Sequence, residues 1–592
     1  MWKCYRDAVI LSSGMNAILI GKLPPEFKTD TLSAQPAKFV PHPAASYNGA
    51  AASIFCRFTS RMTATLPFLL RSLTDFQATG VIPDTSISAV TADSRQVQPG
   101  TVFVAIRGGT TDGHRFVPDA LARGAAAVVG TEDLAAQAVD WPAPYVRVAD
   151  SRLALATLAA ALYGFPTRAM RLIGVTGTDG KTTTTNLITH ILRSAGLHAG
   201  MISTIGAKIG DADLDTGLHV TTPDAPDIQR YLAQMRDAGC EIAVLETTSH
   251  GLHQGRVAAV DFDVAVVTNV THEHLDYHGS WDAYLDAKAI LFRSLAGSTG
   301  KLRPDGSPQP KTTVLNADDA SYQRLASVAA DWQLSYSIEA ATADLYASQI
   351  EYGADHTTFV AATPGGTAEV VLPLAGPFNV CNCLAAIGAG LAVGLPLEQV
   401  VAAVATMPGV DGRMERIDCG QDFTAIVDFA HTPVSLQRAL EAVRPMTAGR
   451  VIAVFGSAGL RDVQKRYLMA EISVRLADLS VLTAEDPRTE SLDMILAQMA
   501  EGARRAGGVE ERDFVRIPDR VEAIQAAMNL ARPGDVVIVC GKGHEQSMCF
   551  GAVEHPWRDQ PVVRWAVARR LGLSSAPAPF VLPTSTWPGL GT

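Results

Sequence analysis

The chain has 592 residues, 47% of them hydrophobic and 18% charged, with a formal net charge of −11. That length exceeds what one hydrophobic core organises, so three or more domains are expected. The acidic balance argues against wholesale nucleic-acid binding, and no apolar run reaches the ~18 residues of a membrane span, so anionic ligands must be held by local basic groups and backbone dipoles. Eight cysteines lie scattered without a CxxC pair, the pattern of reduced thiols in a cytosolic protein.

Residues 1–61 mix Pro, Ser, Ala and isolated aromatics without sustained periodicity and lack a secretory signal, which predicts a disordered extension with the functional start at Met62. Residues 62–166 alternate short strands (TVFVAI, 101–106; AAVVG, 126–130; YVRVAD, 145–150) with helical stretches, a small α/β domain. Pro166 and Thr167 mark a hinge. Residues 167–407 then carry the apolar runs EIAVLE (241–246), DVAVVTNV (263–270) and TTVLNA (312–317), as a sheet covered on both faces requires. A third, Rossmann-like unit follows at 408–571, with TAIVDFA (424–430), VIAVFG (451–456), LSVLTAE (479–485) and DVVIVCG (535–541) alternating with helices. The Pro/Ser-rich residues 572–592 read as an unstructured tail.

Chemistry concentrates first in LIGVTGTDGKTTTTN, residues 172–186. A buried strand feeds a glycine-rich turn and then a helix whose N-terminus points at the turn, the order of a phosphate-binding loop. The strict G-x-x-x-x-G-K-[ST] pattern fails at Val175, so the loop is a variant; Lys181 supplies a cation for the outer phosphates of ATP and Thr182 a hydroxyl for Mg²⁺. Glu246 ends a strand where a carboxylate reaches that metal. The segment 268–279 packs His272, Glu273, His274, Asp276 and His278 together, but without HExxH spacing or a nearby cysteine. A phosphate loop calls for a hard cation, so Mg²⁺ with one histidine is favoured over zinc.

Lys288 is the least expected residue. Its helical neighbours Tyr284, Leu285, Leu291 and Phe292 are apolar, so the amine springs from a buried stripe. Two readings stay open: a snorkelling lysine, or a neutral amine that captures carbon dioxide as a carbamate and so ligates a second Mg²⁺.

Taken together, the ordered motifs ADSR (92–95), GTDGKTT (177–183), TTPD (221–224), ETTSHGLHQGRV (246–257), TNVTHEHLDYHG (268–279), YLDAK (284–288), GPFNVCN (376–382), GRMERI (412–417), DFAHTP (428–433), RDVQKR (461–466), EDPR (485–488) and GKGHE (541–545) resemble the Mur ligase family. The likeness is to its branch that adds the third residue of the peptidoglycan stem. It implies a three-domain α/β architecture with an N-terminal α/β domain that binds the uridine diphosphate end, a central P-loop ATPase-like domain and a C-terminal Rossmann-like domain. It also implies an ATP-dependent, cytoplasmic, monomeric ligase of cell-wall synthesis, with Mg²⁺ as cofactor. Its substrates would be a UDP-muramoyl-dipeptide and a diamino acid.

By the same resemblance, Gly177, Thr178, Asp179, Gly180, Lys181, Thr182 and Thr183 hold ATP together with Asn379, Arg413 and Asp428. Ser94, Thr110 and Thr111 contact the uridine diphosphate, and Thr221, Thr222, Thr248, Gln254 and Arg256 the muramoyl dipeptide. Lys181, Glu246, His274 and Lys288 are the catalytic set; Thr182, Glu246, His274 and the Lys288 carbamate (N6-carboxylysine) face the metal. Arg461, Glu485, Asp486, Pro487, Arg488, Gly541 and Glu545 build the amino-acid pocket. Two departures from the family pattern stand out. EDPR replaces DNPR, and the carboxylate of Asp486 in place of an asparagine leans the choice of diamino acid from meso-diaminopimelate toward L-lysine or L-ornithine. Leu460 and Gln464 alter the loop that carries Arg461. The rival readings are a folylpolyglutamate synthase-like ligase and a catalytically inactive nucleotide-binding regulator.

Overall fold

The computed structural model describes residues 64–585 apart from 110, 139, 215–220, 272–274, 354–355 and 375. The expected N-terminal extension, residues 586–592, Thr110, His272, Glu273 and His274 therefore lie outside the described residues.

Three large sheets follow one another along the chain, beside two two-stranded ones. The first has five strands in the order Gln77–Thr79, Tyr145–Arg147, Ala127–Gly130, Thr101–Val104 and Ala89–Thr91, parallel except for the first. Helix Ser151–Leu162 covers it and starts where the Asp150 carboxylate accepts from the Arg152 and Leu153 amides.

The central sheet has eleven strands, with Arg171–Thr176 between Ile242–Glu246 and Val264–Val267. These strands are buried at every position, because helices cover both faces. Helices Lys181–Ser194 and Pro377–Ala392 close one side, and Ala225–Asp237 and Trp281–Arg293 the other. Both edges turn antiparallel: Gly206–Ile209 and Ala212–Leu214 at one end, and the meander Leu345–Tyr352, Thr357–Thr363, Gly366–Leu372 at the other.

The C-terminal sheet runs Glu415–Ile417, Thr424–Asp428, Val536–Cys540, Val451–Phe455, Leu479–Leu482, Phe514–Arg516 and is parallel after its first strand. Order continues beyond helix Asp559–Arg570, which corrects the expectation of an unstructured tail for residues 573–585. The Trp565 indole donates to Ala576 O at 2.9 Å, the Phe580 ring sits 5.6 Å from that of Trp557, Leu582 is buried, and the Thr584 hydroxyl donates to Asp519 at 2.9 Å. A Pro/Ser-rich segment cannot build its own core, but a few apolar residues suffice to dock it on an existing one.

All described cysteines are free thiols, and among the described residues no helix is long and apolar enough to cross a membrane.

Candidate active site

The phosphate loop leaves the buried strand Arg171–Thr176 and turns at Gly177 into helix Lys181–Ser194. Two glycines are obligatory here. Gly177 has φ 151°, and a Cβ on it would stand 1.8 Å from Thr268 Oγ1; Gly180 has φ 80°, and a Cβ there would meet Asn382 Oδ1 at 2.2 Å. The adjoining loop fixes the turn: Asn269 O accepts from the Thr178 amide at 2.7 Å, Asn269 Oδ1 from the Asp179 amide at 3.1 Å, and Thr268 Oγ1 donates to Asp179 O at 2.6 Å. Lys181 Nζ donates to Thr178 O at 2.7 Å, which holds the ammonium over the loop. Thr183, the next residue, is buried.

Behind the loop sits a buried oxygen cluster. Thr182 Oγ1 donates to Glu246 Oε1 at 3.0 Å, and the Thr204 amide donates to Glu246 Oε2 at 3.0 Å. Thr204 bonds Thr221 at 3.1 Å, Thr222 Oγ1 donates to Glu246 O at 3.2 Å, and Thr222 and Thr248 share a hydroxyl contact at 3.2 Å. Thr248 also caps helix Ser249–His253. Arg256 donates to Thr222 O at 2.6 Å and to Gln254 Oε1 at 2.8 and 3.0 Å. The expected dipeptide-binding residues therefore form one network with the expected metal carboxylate.

Lys288 is 1% exposed. Its Nζ donates to Gly177 O at 2.6 Å and lies 4.3 Å from the centroid of the Tyr284 ring, while Tyr284 OH and Thr178 Oγ1 stand 3.1 Å apart. The amine therefore abuts the phosphate loop itself and does not reach for solvent. The donors gathered here, threonine hydroxyls and a carboxylate, are hard oxygen ligands and fit a magnesium ion.

The C-terminal domain reaches the same loop. Arg413 Nη2 donates to Thr182 Oγ1 at 3.3 Å and its guanidinium stacks 4.5 Å over Phe429. Burial lowers its pKa, against the pull of Asp428, Glu246 and Asp179. Asp428 accepts from the Met414 and Ala430 amides at 2.7 and 2.8 Å; burial raises its pKa, opposed by Arg413. Arg438, on helix Pro433–Val443, pairs with Asp179 at 2.7 Å. Asn379 is buried on helix Pro377–Ala392, where its Oδ1 accepts from Asn382.

Further into that domain lies a charged pocket. Lys542 is 1% exposed and pairs with Glu545 and, at 2.9 Å, with Asp486. Burial pulls its pKa down, but Glu545 and Asp486 outweigh it and hold the ammonium above its ordinary value. Burial raises the Glu545 carboxyl. Asp486 Oδ1 also accepts from the Cys549 amide at 2.9 Å, so the charge that the sequence places at Asp486 is already neutralised. Glu485 is buried with Oε2 unpartnered, facing Gly541, where a Cβ would come within 2.7 Å of that oxygen. Asp486 (φ 40°) and Arg488 (φ 54°) are both left-handed around the buried Pro487, while Arg461 stands exposed.

Not every expected residue joins. Ser94 is buried in the N-terminal domain, where with Arg123 it holds the Asp119 carboxyl below its usual range; Thr111 is exposed, its carbonyl accepting from the Gly108 amide. Among the described residues no hydrogen bond links Ser94 or Thr111 to the phosphate loop. Residues that sequence reasoning passed over are Thr204, Asn269, Asn382, Arg438 and Lys542. Lys542, Asn269 and Asn382 carried a signal, their places inside GKGHE, TNVTHEHLDYHG and GPFNVCN; Thr204 and Arg438 are set by strand pairing and domain packing.

Comparison with known proteins gives three matched family models: the Mur ligase family catalytic domain over residues 86–163, the Mur ligase middle domain over 175–390, and the Mur ligase glutamate ligase domain over 412–543. A UDP-N-acetylmuramyl-tripeptide synthetase of Roseiflexus sp. (strain RS-1) is 47% identical, over 81% of this chain and 94% of that protein. A UDP-N-acetylmuramoyl-L-alanyl-D-glutamate--2,6-diaminopimelate ligase of Geobacillus kaustophilus (strain HTA426) is 44% identical, over 82% and 95%. A solved structure of a ligase with that same name superposes with a TM-score of 0.60 at 31% identity, covering 86% of this chain and all of that one.

Proposed function

The chain belongs to the Mur ligase family and is an ATP-dependent acid–amino-acid ligase of cell-wall synthesis, and from that premise we propose that it joins a diamino acid to UDP-N-acetylmuramoyl-L-alanyl-D-glutamate through an acyl phosphate. The observation that carries this is the meeting of Lys181, Thr182, Glu246, Lys288 and Arg413 around one loop.

The substrate's terminal carboxylate attacks the γ-phosphate of ATP, breaking the β–γ P–O bond and releasing ADP; the incoming amine then attacks the acyl carbon, expels inorganic phosphate and gives up a proton. Lys181 and Arg413 stabilise the charge on the transferring group, because positioning and electrostatics dominate phosphoryl transfer. Thr222, Thr248 and Arg256 orient the dipeptide end, and closure of the C-terminal domain keeps water from the activated carboxyl. Thr182 and Glu246, with His274, would hold Mg²⁺, which neutralises phosphate charge when bound. Lys288, as a carbamate, would offer that site a further anionic oxygen pair. Lys288→Ala should abolish ligation and partly recover it with short carboxylates; full activity of the alanine variant ends the carbamate reading.

For the amino acid, the names of the 2,6-diaminopimelate ligases among the relatives support diaminopimelate, and Lys542 removes the free charge at Asp486 that argued against it. The unpartnered Glu485 Oε2 is a buried acceptor suited to an ammonium, which L-lysine, L-ornithine and diaminopimelate all carry, so it supports a diamino acid without choosing among them. An ATP-dependent ligation assay across the three diamino acids, read by product mass, decides between them. Phosphate release that needs neither the muramoyl dipeptide nor a diamino acid would remove the ligase reading of this site.

A further inference from the structure

A cleft of about 370 Å³ opens at the end of strand Arg171–Thr176 opposite the phosphate loop, between the 166–171 hinge, the turn after helix Ala225–Asp237 and the 300–304 loop. Five cationic side chains line it, Arg168, Arg171, Arg236, Lys301 and Arg303, against one acid, Glu241. Not all five are equally available. Lys301 is consumed by Asp263 Oδ2 at 2.7 Å and by Asp261 O at 2.6 Å, and Arg236 by Asp237 and Tyr163 O, each at 2.8 Å; the exposed Arg168 keeps only a loose pair with Asp261 at 3.8 Å.

Arg171 and Arg303 differ. Arg171 is 4% exposed, and the hydrogen bond of its guanidinium to Val393 O is long, 3.4 Å. Arg303 donates to Ala392 O at 2.9 Å but keeps a buried Nε without a partner. Among the described residues neither guanidinium has a carboxylate within ion-pair distance; Glu241 and Asp263 attract Arg171 from farther off, while Arg303 repels it. Two neighbouring guanidinium groups with a long hydrogen bond on one and an unused buried donor on the other are costly to hold together unless a further anion pairs them. Planar donors in adjacent forks match the oxygens of a phosphoryl group, and the volume suits a small ligand.

We propose that this cleft is a second anion site, taking one phosphate group by way of Arg171 and Arg303, with Arg168 at its mouth. It is separate from the phosphate loop, which lies at the other end of the same six-residue strand. The bound phosphate is inorganic or carried on a small metabolite; both present the same oxygens.

The test is calorimetric titration of the full chain, held saturated with magnesium and a non-hydrolysable ATP analogue so that the loop is filled. Inorganic phosphate is the probe in one arm and ribose 5-phosphate in the other. One equivalent should bind with a submillimolar Kd, weakening as KCl rises, and the tighter arm identifies the source. Arg303→Gln should raise that Kd at least tenfold and leave the affinity for the ATP analogue unchanged. Absence of binding in both arms, or an unchanged Kd in Arg303→Gln, overturns the proposal. Should Arg303→Gln fail to fold, the exposed Arg168→Gln replaces it: a Kd at least threefold higher supports the site, and an unchanged one overturns it.

Discussion

The phosphate loop and the proposed amino-acid pocket are built on opposite principles. The loop is a backbone structure: its shape follows from glycines that no other residue can replace, its amides are held by Asn269, and Lys181, Thr182 and Lys288 need only be carried on rigid elements around it. The pocket is a charge structure: Glu485, Asp486 and Glu545 crowd one region and stay there because Lys542 is buried among them, on a chain segment forced left-handed at Asp486 and Arg488. A backbone cradle suits a ligand that never changes, ATP. A set of paired charges is retuned by single substitutions, which suits the variable partner, the amino acid.

That contrast can be broken in four places. The largest effect is expected at the loop: Lys181→Ala should lower the ligation rate about a thousandfold while leaving the melting temperature unchanged, since the side chain serves charge and not packing; steady-state kinetics with calorimetry would check both. Next comes the pocket, where Lys542→Met strands two carboxylates and should cost about 3–5 kcal/mol of stability in urea unfolding. A loss confined to activity would show that the pocket, like the loop, is held by its backbone.

The third concerns pH. Burial drives the His544 imidazole, packed 4.7 Å from the Phe429 ring, down to about 2, with Arg413 adding to the effect. The unfolded chain takes up that proton near pH 6.5 and the folded one does not, so this contribution to stability is complete above pH 6.5 and is lost progressively as the pH falls toward 2. His544→Gln should therefore flatten the decline in melting temperature between pH 6.5 and 4; an undiminished slope would assign the decline to other groups. The smallest effect belongs to the bridge between the two regions. Arg438 and Asp179 are each about one-third exposed, so Arg438→Ala should cost under about 1 kcal/mol and raise the KM for ATP a few-fold with little change in kcat.

Legibility followed the same divide. The alternation of apolar runs with polar loops marks the strands that form the three sheets, because a strand buried on both faces has to be apolar throughout; VAVV at 264–267 is an example. Glycine positions 177 and 180 were readable for an equally local reason. The antiparallel meander at 345–372 was not, since half-exposed edge strands carry a weaker pattern, and the docking of Phe580 and Leu582 was hidden by the Pro/Ser composition around them. The charge at Asp486 was visible, but its neutralisation by a lysine 56 residues away was not.

What the sequence determined by itself is the strand–loop–helix order, the obligatory glycines and the family of the chain, because each depends on residues adjacent along the backbone. Only the tertiary structure decided which charges are spent and which remain. Lys542 is committed to Asp486 and Glu545, Lys288 lies against Gly177 O, and Arg171 and Arg303 face a cleft where cations outnumber the one acid, Glu241. Those outcomes depend on distance and burial between groups far apart in the chain, and electrostatic energy is a function of both.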